Sequence, residues 1–306
     1  SDLVTGVQTC ALPILSFLPF DPQVNKGLSI LVFVAILWLT EAVHISITAL
    51  LVPLLAVSLN IFNTPTALSN FADPIIFLFL GGFALASALN KQELDKAIAS
   101  YVLNIAKGRL KVAVFLLFTV TAGLSMWINT ATAAMMLPLV IGMLRQLDRQ
   151  QHQSTWIFTL LAVAYCANIG GIATLVGSPP NAIAAAVTGL TFIEWFKKAL
   201  PITLLLLPAA VGVLYLVVKP DLEHKVAVKK EVIEWDTHKK AAIAIFMLAV
   251  IFWVFSTPIN AALGGFSSFD TLVAMGALVA LVVTGVVGWK DIETNTDWGV
   301  LILFGG

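Results

Sequence analysis

Apolar residues fall in long blocks separated by short polar segments. The blocks run over residues 27–43, 45–62, 74–88, 112–144, 154–193, 201–218, 241–256 and 271–288, with a further one starting at 298. Most are near the ~20 residues an α-helix needs to cross a ~30 Å hydrocarbon core, so the pattern predicts an all-α, polytopic membrane protein. Two blocks are too long for one crossing. As a straight helix, residues 112–144 would extend about 50 Å at 1.5 Å per residue. Basic residues stand at both ends: Lys107, Arg109 and Lys111 before it, Arg145 and Arg149 after it. Basic ends favour the cytoplasmic side, so the block is expected to enter and return as a re-entrant hairpin. The block 154–193 is interrupted by GGIATLVGSPPN at 170–181. Glycines and a Pro-Pro pair defeat a continuous helix, and a broken transmembrane helix over 154–199 is expected.

Charge fixes an orientation. Segments placed inside (91–111, 145–149, 219–240 and residue 290) hold fourteen of the seventeen Lys and Arg; Lys26, Lys197 and Lys198 fall outside, as the positive-inside rule requires. Residues 91–108 read as an amphipathic helix on the cytoplasmic surface, with Leu94, Ile98, Tyr101, Val102 and Ile105 as its apolar set. Residues 219–240 read as a solvated cytoplasmic linker. Composition agrees: 59% apolar, 11% charged, mean hydropathy +0.97 and no net charge. The basic field that nucleic-acid binding requires is absent.

Residues 4–14, VTGVQTCALPI, resemble the in-frame translation of a sequencing-adapter oligonucleotide, so residues 1–14 are set aside as an artefact. Cys10 goes with them, leaving Cys166 without a disulfide or metal partner. The first spans and first repeat are then expected over 15–218.

A weak internal repeat follows. DPIIFLFLGG begins at Asp73 and DWGVLILFGG at Asp297, an offset of 224 residues. With the orientation above, the copies run in opposite senses, as in inverted-topology repeats of secondary transporters. Residues 241–306 then form an incomplete second repeat, and the chain is expected to be C-terminally truncated and inactive alone.

Small polar residues gather at both breaks. The hairpin tip, GLSMWINTATAAMMLP, carries Ser125, Asn129, Thr130 and Thr132; the second break offers the Gly177 carbonyl, the Ser178 hydroxyl and the Asn181 amide. Backbone that turns inside a membrane must line a cavity or bind something. Unwound carbonyls and hydroxyls suit a hard cation such as sodium, and helix N-termini suit an anion. Neither stretch contains Lys, Arg or His, which points to an anion bound together with a cation.

SMWINTATAAMMLP and GGIATLVGSPPNAI, with TEAVHISITALLVPLL (40–55) and FADPIIFLFLGGFALA (71–86), resemble the divalent anion:sodium symporter family. The resemblance implies an eleven-span fold, a homodimer in the bacterial inner membrane, and elevator-type, sodium-coupled uptake of C4 dicarboxylates such as succinate, or of citrate or sulfate. It assigns Asn129, Thr130, Ser178 and Pro179 to substrate, and Ser125, Asn129 and the Gly177 carbonyl to sodium. This chain departs from the motif at the tip, where the family's Ser is missing between Ile128 and Asn129. The repeat offset also puts the second Asn-Thr tip near position 353, beyond Gly306.

A dicarboxylate exchanger or a proton-coupled anion carrier of the same fold is the alternative. An intramembrane hydrolase is disfavoured because no HExxH or GxSxG occurs. A channel is disfavoured because the polar groups sit in two discrete breaks.

Overall fold

The computed structural model describes residues 19–128, 132–225 and 235–306. The described residues are helical and contain no β-strand, and six of their helices are long and apolar enough to cross a bilayer. The protein is an all-α polytopic membrane protein. It divides into two compact units, residues 19–77 with 297–306, and residues 78–296.

In the first unit, α1 (Pro22–Thr40) starts at Asp21, whose carboxylate accepts the Gln23 N–H at 2.8 Å. It packs on α2 (Ile45–Ser58) through Ile30, Val34 and Ala56. The short α3 (Thr64–Leu68) and a 3₁₀ turn lead to Asp73, whose Oδ1 accepts the Ile75 N–H at 2.8 Å. Asp297, 224 residues later, accepts the Val300 N–H at 3.1 Å and opens a helix at Trp298–Leu303. The two aspartates of the DPII and DWGV segments therefore do the same local work, satisfying orphan N–H groups at a helix start.

The second unit takes up most of α4 (Pro74–Lys91), then α5 (Leu94–Ile105), α6 (Leu110–Ile128), α7 (Thr132–Leu144), α8 (Gln153–Gly171), α9 (Pro179–Thr188), α10 (Phe192–Val218), α11 (Thr237–Val254), α12 (Ser256–Ala262), α13 (Phe269–Val283) and α14 (Trp289–Asn295). Its centre is α8, packed on α6 and on α10, with Leu117, Phe118, Phe158 and Val163 filling the core; Phe118 meets Phe158 edge-on at 5.7 Å. Lipid is as apolar as these side chains, so close backbone approach rather than water exclusion drives such packing. Small residues permit it. A Cβ on Gly170 would lie 2.7 Å from the Ala122 Cα, and one on Gly81 would lie 2.5 Å from the Ala274 carbonyl oxygen.

Three segments differ from the hydropathy reading. The helix expected from residue 201 starts at Phe192, because Thr191 and Glu194 form a capping box and Pro201 and Pro208 are accommodated inside the helix. Lys197 and Lys198 thus ride on its first turns. The linker 219–240 is not wholly solvated: Leu222 is buried in the α6–α8–α10 core, and α11 already begins at Thr237. On α5, Leu94 is buried while Ile98, Tyr101 and Ile105 stay exposed, so most of the expected apolar set faces away from the protein.

Candidate functional site

The site lies where α8 stops and α9 starts. Gly170 and Gly171 end α8, and Pro179-Pro180 open α9, proline being acceptable where a helix N–H has no partner anyway. Between them, residues 172–178 form a loop inside the unit, and its backbone groups must be satisfied without water.

Most of them are. The Asn181 side-chain amide donates to the Gly171 carbonyl at 2.8 Å and the Thr174 carbonyl at 2.7 Å. The Trp195 indole N–H donates to the Ile172 carbonyl at 3.0 Å. The Thr174 hydroxyl donates to the Met126 carbonyl on α6 and accepts the Gly177 N–H at 3.2 Å, tying the loop to the helix that leads into the hairpin tip. Gly82 of α4 borders the loop; a Cβ there would sit 3.3 Å from Val176 Cγ1.

Two oxygens stand out. Among the described residues no donor reaches the buried Gly177 carbonyl, and the half-buried Ser178 hydroxyl has no partner either. Ser125, fully buried on α6, donates to the Ala167 carbonyl at 2.5 Å. A Cβ built on Gly171 would lie 2.8 Å from the Gly177 oxygen and 3.5 Å from the Ser125 hydroxyl. Two candidate ligands from different elements therefore lie against Gly171, whose missing side chain permits the close approach of Gly177. Pro179 is half-buried at the first position of α9. Asn129 and Thr130 lie outside the described residues.

An aromatic brace steadies the approach to the tip. Trp127 stacks on Phe192 (5.9 Å) and Trp253 (6.3 Å), and Trp253 donates its indole N–H to the Asp270 carbonyl at 2.9 Å. The Asp270 carboxylate in turn accepts the Phe192 N–H at 2.8 Å. Sequence reasoning overlooked Thr174 and Trp195. Thr174 is the one hydroxyl between the glycines of the break and could have been found on that ground; nothing marks Trp195 locally. Asn181, read from sequence as a ligand-facing amide, turns its NH₂ inward to organise the loop.

A cavity of about 530 Å³ lies between α6, α8 and α10, lined by Phe118, Ala122, Cys166, Leu207, Val211 and Tyr215 among others. The Thr119 and Thr203 hydroxyls on its wall donate to their own helices. That lining suits an apolar group and offers little to a dianion.

This arrangement is that of a polytopic helical membrane protein whose helical path is interrupted inside the protein. Residues 35–306 match the citrate transporter family, and the chain belongs to that family. It is 51% identical over 301 residues to an uncharacterized transporter of Haemophilus influenzae, covering 96% of this chain and 65% of that one. A second uncharacterized transporter, from Methanocaldococcus jannaschii, is 39% identical over 302 residues, covering 98% and 68%. The sodium-dependent dicarboxylate transporter SdcS of Staphylococcus saprophyticus is 28% identical over 345 aligned positions, covering 99% and 65%. The chain thus spans about two thirds of the length of these relatives. The family and these relatives are transporters, not enzymes.

Proposed function

We propose that the chain belongs to a sodium-coupled carrier that takes up C4 dicarboxylates such as succinate across the bacterial inner membrane. In this reading Ser125, Asn129 and the Gly177 carbonyl hold a sodium ion, while Asn129, Thr130, Ser178 and the backbone at Pro179 face the substrate. Sodium is the co-transported cofactor. The carrier works as a homodimer of inverted repeats, moving the site by an elevator motion, and residues 112–144 form its re-entrant hairpin.

One observation carries the proposal: the Gly177 carbonyl is buried and unpartnered among the described residues, and it and the Ser125 hydroxyl both lie against Gly171. A buried acceptor without a donor costs about 1–3 kcal/mol. A cation recovers that cost, and two oxygens from two elements make it a coordination site rather than a single contact. Charge supports the pairing. With no Lys, Arg or His in either break, a dianion is held by hydroxyl and amide donors, the positive end of α9 and the sodium beside it. SdcS, by its name, is a sodium-dependent dicarboxylate transporter, which agrees with this reading.

The test is uptake of labelled succinate and citrate into proteoliposomes by the protein extended to the length of its relatives. Uptake that saturates with external sodium and collapses in Asn129→Ala supports the assignment. Uptake indifferent to both sodium and that substitution rejects it in favour of exchange or proton coupling.

A further inference from the structure

Away from the break, the linker is fastened to the core at one point. Residues 219–225 follow α10 and run alongside the starts of α6 and α8. The Thr155 hydroxyl donates to the Asp221 carbonyl at 2.7 Å and accepts the Asp221 N–H at 3.1 Å. The Leu110 N–H donates to the His224 carbonyl at 3.0 Å, and Leu222 is buried beneath. These bonds fix the backbone of the D-x-x-H segment and bring its two side chains beside His152, which precedes α8. His224 Nε2 lies 2.9 Å from Asp221 Oδ2, and the two imidazoles meet edge to face at 4.4 Å. Each residue offers one ligand atom, and these atoms all lie within 4.8 Å of one another; both histidines are half-buried and Asp221 is exposed.

We propose that His152, Asp221 and His224 form a binding site for a divalent transition metal, zinc foremost, that clamps the start of the linker to the core. Two imidazoles and one carboxylate are a donor set suited to zinc, with a fourth position left to water. Around a tetrahedral ion with ~2.0–2.1 Å bonds, ligand atoms stand about 3.3 Å apart. One pair is already closer than that, and rotation of the half-exposed His152 and His224 rings brings in the rest while the backbone stays put. The bonds to Thr155 supply the outer support that orients a metal-binding turn. Two neutral nitrogen donors disfavour magnesium and calcium, which take oxygen. The site is independent of the sodium reading: it uses other residues and sits on the side to which the basic segments assign the cytoplasm.

The test is titration of the tag-free full chain with Co²⁺, followed by displacement with Zn²⁺. The expected result is one ion per chain, a tetrahedral visible spectrum, and a loss of affinity of at least about tenfold in each of His152→Gln, Asp221→Asn and His224→Gln. His238→Gln, outside the cluster, keeps wild-type affinity, and excess Mg²⁺ does not compete. Circular dichroism checks each variant's fold, and the spectrum of the wild-type chain stands even if a variant fails to fold. A wild-type chain that leaves Co²⁺ with the weak spectrum of the aqueous ion overturns the proposal. So does equal binding by the His152→Gln/His224→Gln double variant.

Discussion

Gly171→Ala is the sharpest perturbation of the break. The added methyl carbon would lie 2.8 Å from the Gly177 carbonyl oxygen and 3.5 Å from the Ser125 hydroxyl. Ordinary van der Waals contact starts near 3.4 Å, so relief needs a shift of about 0.6 Å. The loop cannot give freely: its neighbours are held by Asn181, Trp195 and Thr174. Overpacking at such a position costs about 1–3 kcal/mol, and the methyl presses on the Gly177 carbonyl while touching the Ser125 hydroxyl, the two proposed sodium ligands. Expected are a lower unfolding temperature in detergent and a half-saturating sodium concentration for stabilisation raised by at least about tenfold, equivalent to ~1.4 kcal/mol. Gly123→Ala is the control, because beyond its chain neighbours and its own helix backbone nothing lies within 4 Å of its would-be Cβ; in a helix interior it should be neutral or stabilising by up to about 1 kcal/mol. If Gly171→Ala binds sodium like the wild type and melts at the same temperature, neither the close approach nor the ion site is as described.

Other perturbations address the supports. Asn181→Leu leaves the Gly171 and Thr174 carbonyls without their donor, which should cost about 2 kcal/mol or more and appear as faster amide exchange across 171–178. Its failure to do so would show that the loop holds itself. The Asp291 carboxyl is held below its ordinary 3.8 by the Lys91 ammonium at 2.5 Å and by the Gly288 N–H at 2.8 Å. A depressed folded-state value contributes stability above the unfolded value that is lost as pH falls through the folded one. The tie between α4 and α14 should therefore persist at pH 4 and weaken below about 3.8, and Asp291→Asn should remove that part of the acid dependence of thermal unfolding.

Which features could be read without coordinates follows from the range of the forces involved. Gly170-Gly171 and Pro179-Pro180 terminate and restart a helix through their own backbone chemistry, so the break at 172–178 is visible locally. The block 112–144 exceeds a bilayer by length alone; its described parts are the helices α6 and α7, and the tip expected between them lies outside the described residues. The start of α10 was hidden because Lys197 and Lys198 suggest a loop, while the capping pair Thr191 and Glu194 argues for a helix start. Local capping prevailed over average hydropathy. Leu222 looks like an isolated apolar residue among charges; only the α6–α8–α10 surface explains its burial. His152 and His224 stand 72 positions apart, and no periodicity links them. Ser125 and Gly177 enter as candidates because a family resemblance names them; that both lie against Gly171 is a result of folding. The fastening by Thr174 and Trp195 depends on tertiary geometry that no spacing encodes.

On the proposed function this break gathers oxygens around sodium, and thermal unfolding of the purified chain in NaCl against KCl and choline chloride at equal ionic strength, for wild type and Ser125→Ala, decides whether it does. A sodium concentration ten times the dissociation constant stabilises by about 1.4 kcal/mol through mass action. Sodium bound at the break gives a sodium-specific rise in unfolding temperature for the wild type that Ser125→Ala abolishes. Equal unfolding temperatures in the three salts, or an undiminished sodium effect in Ser125→Ala, would contradict it.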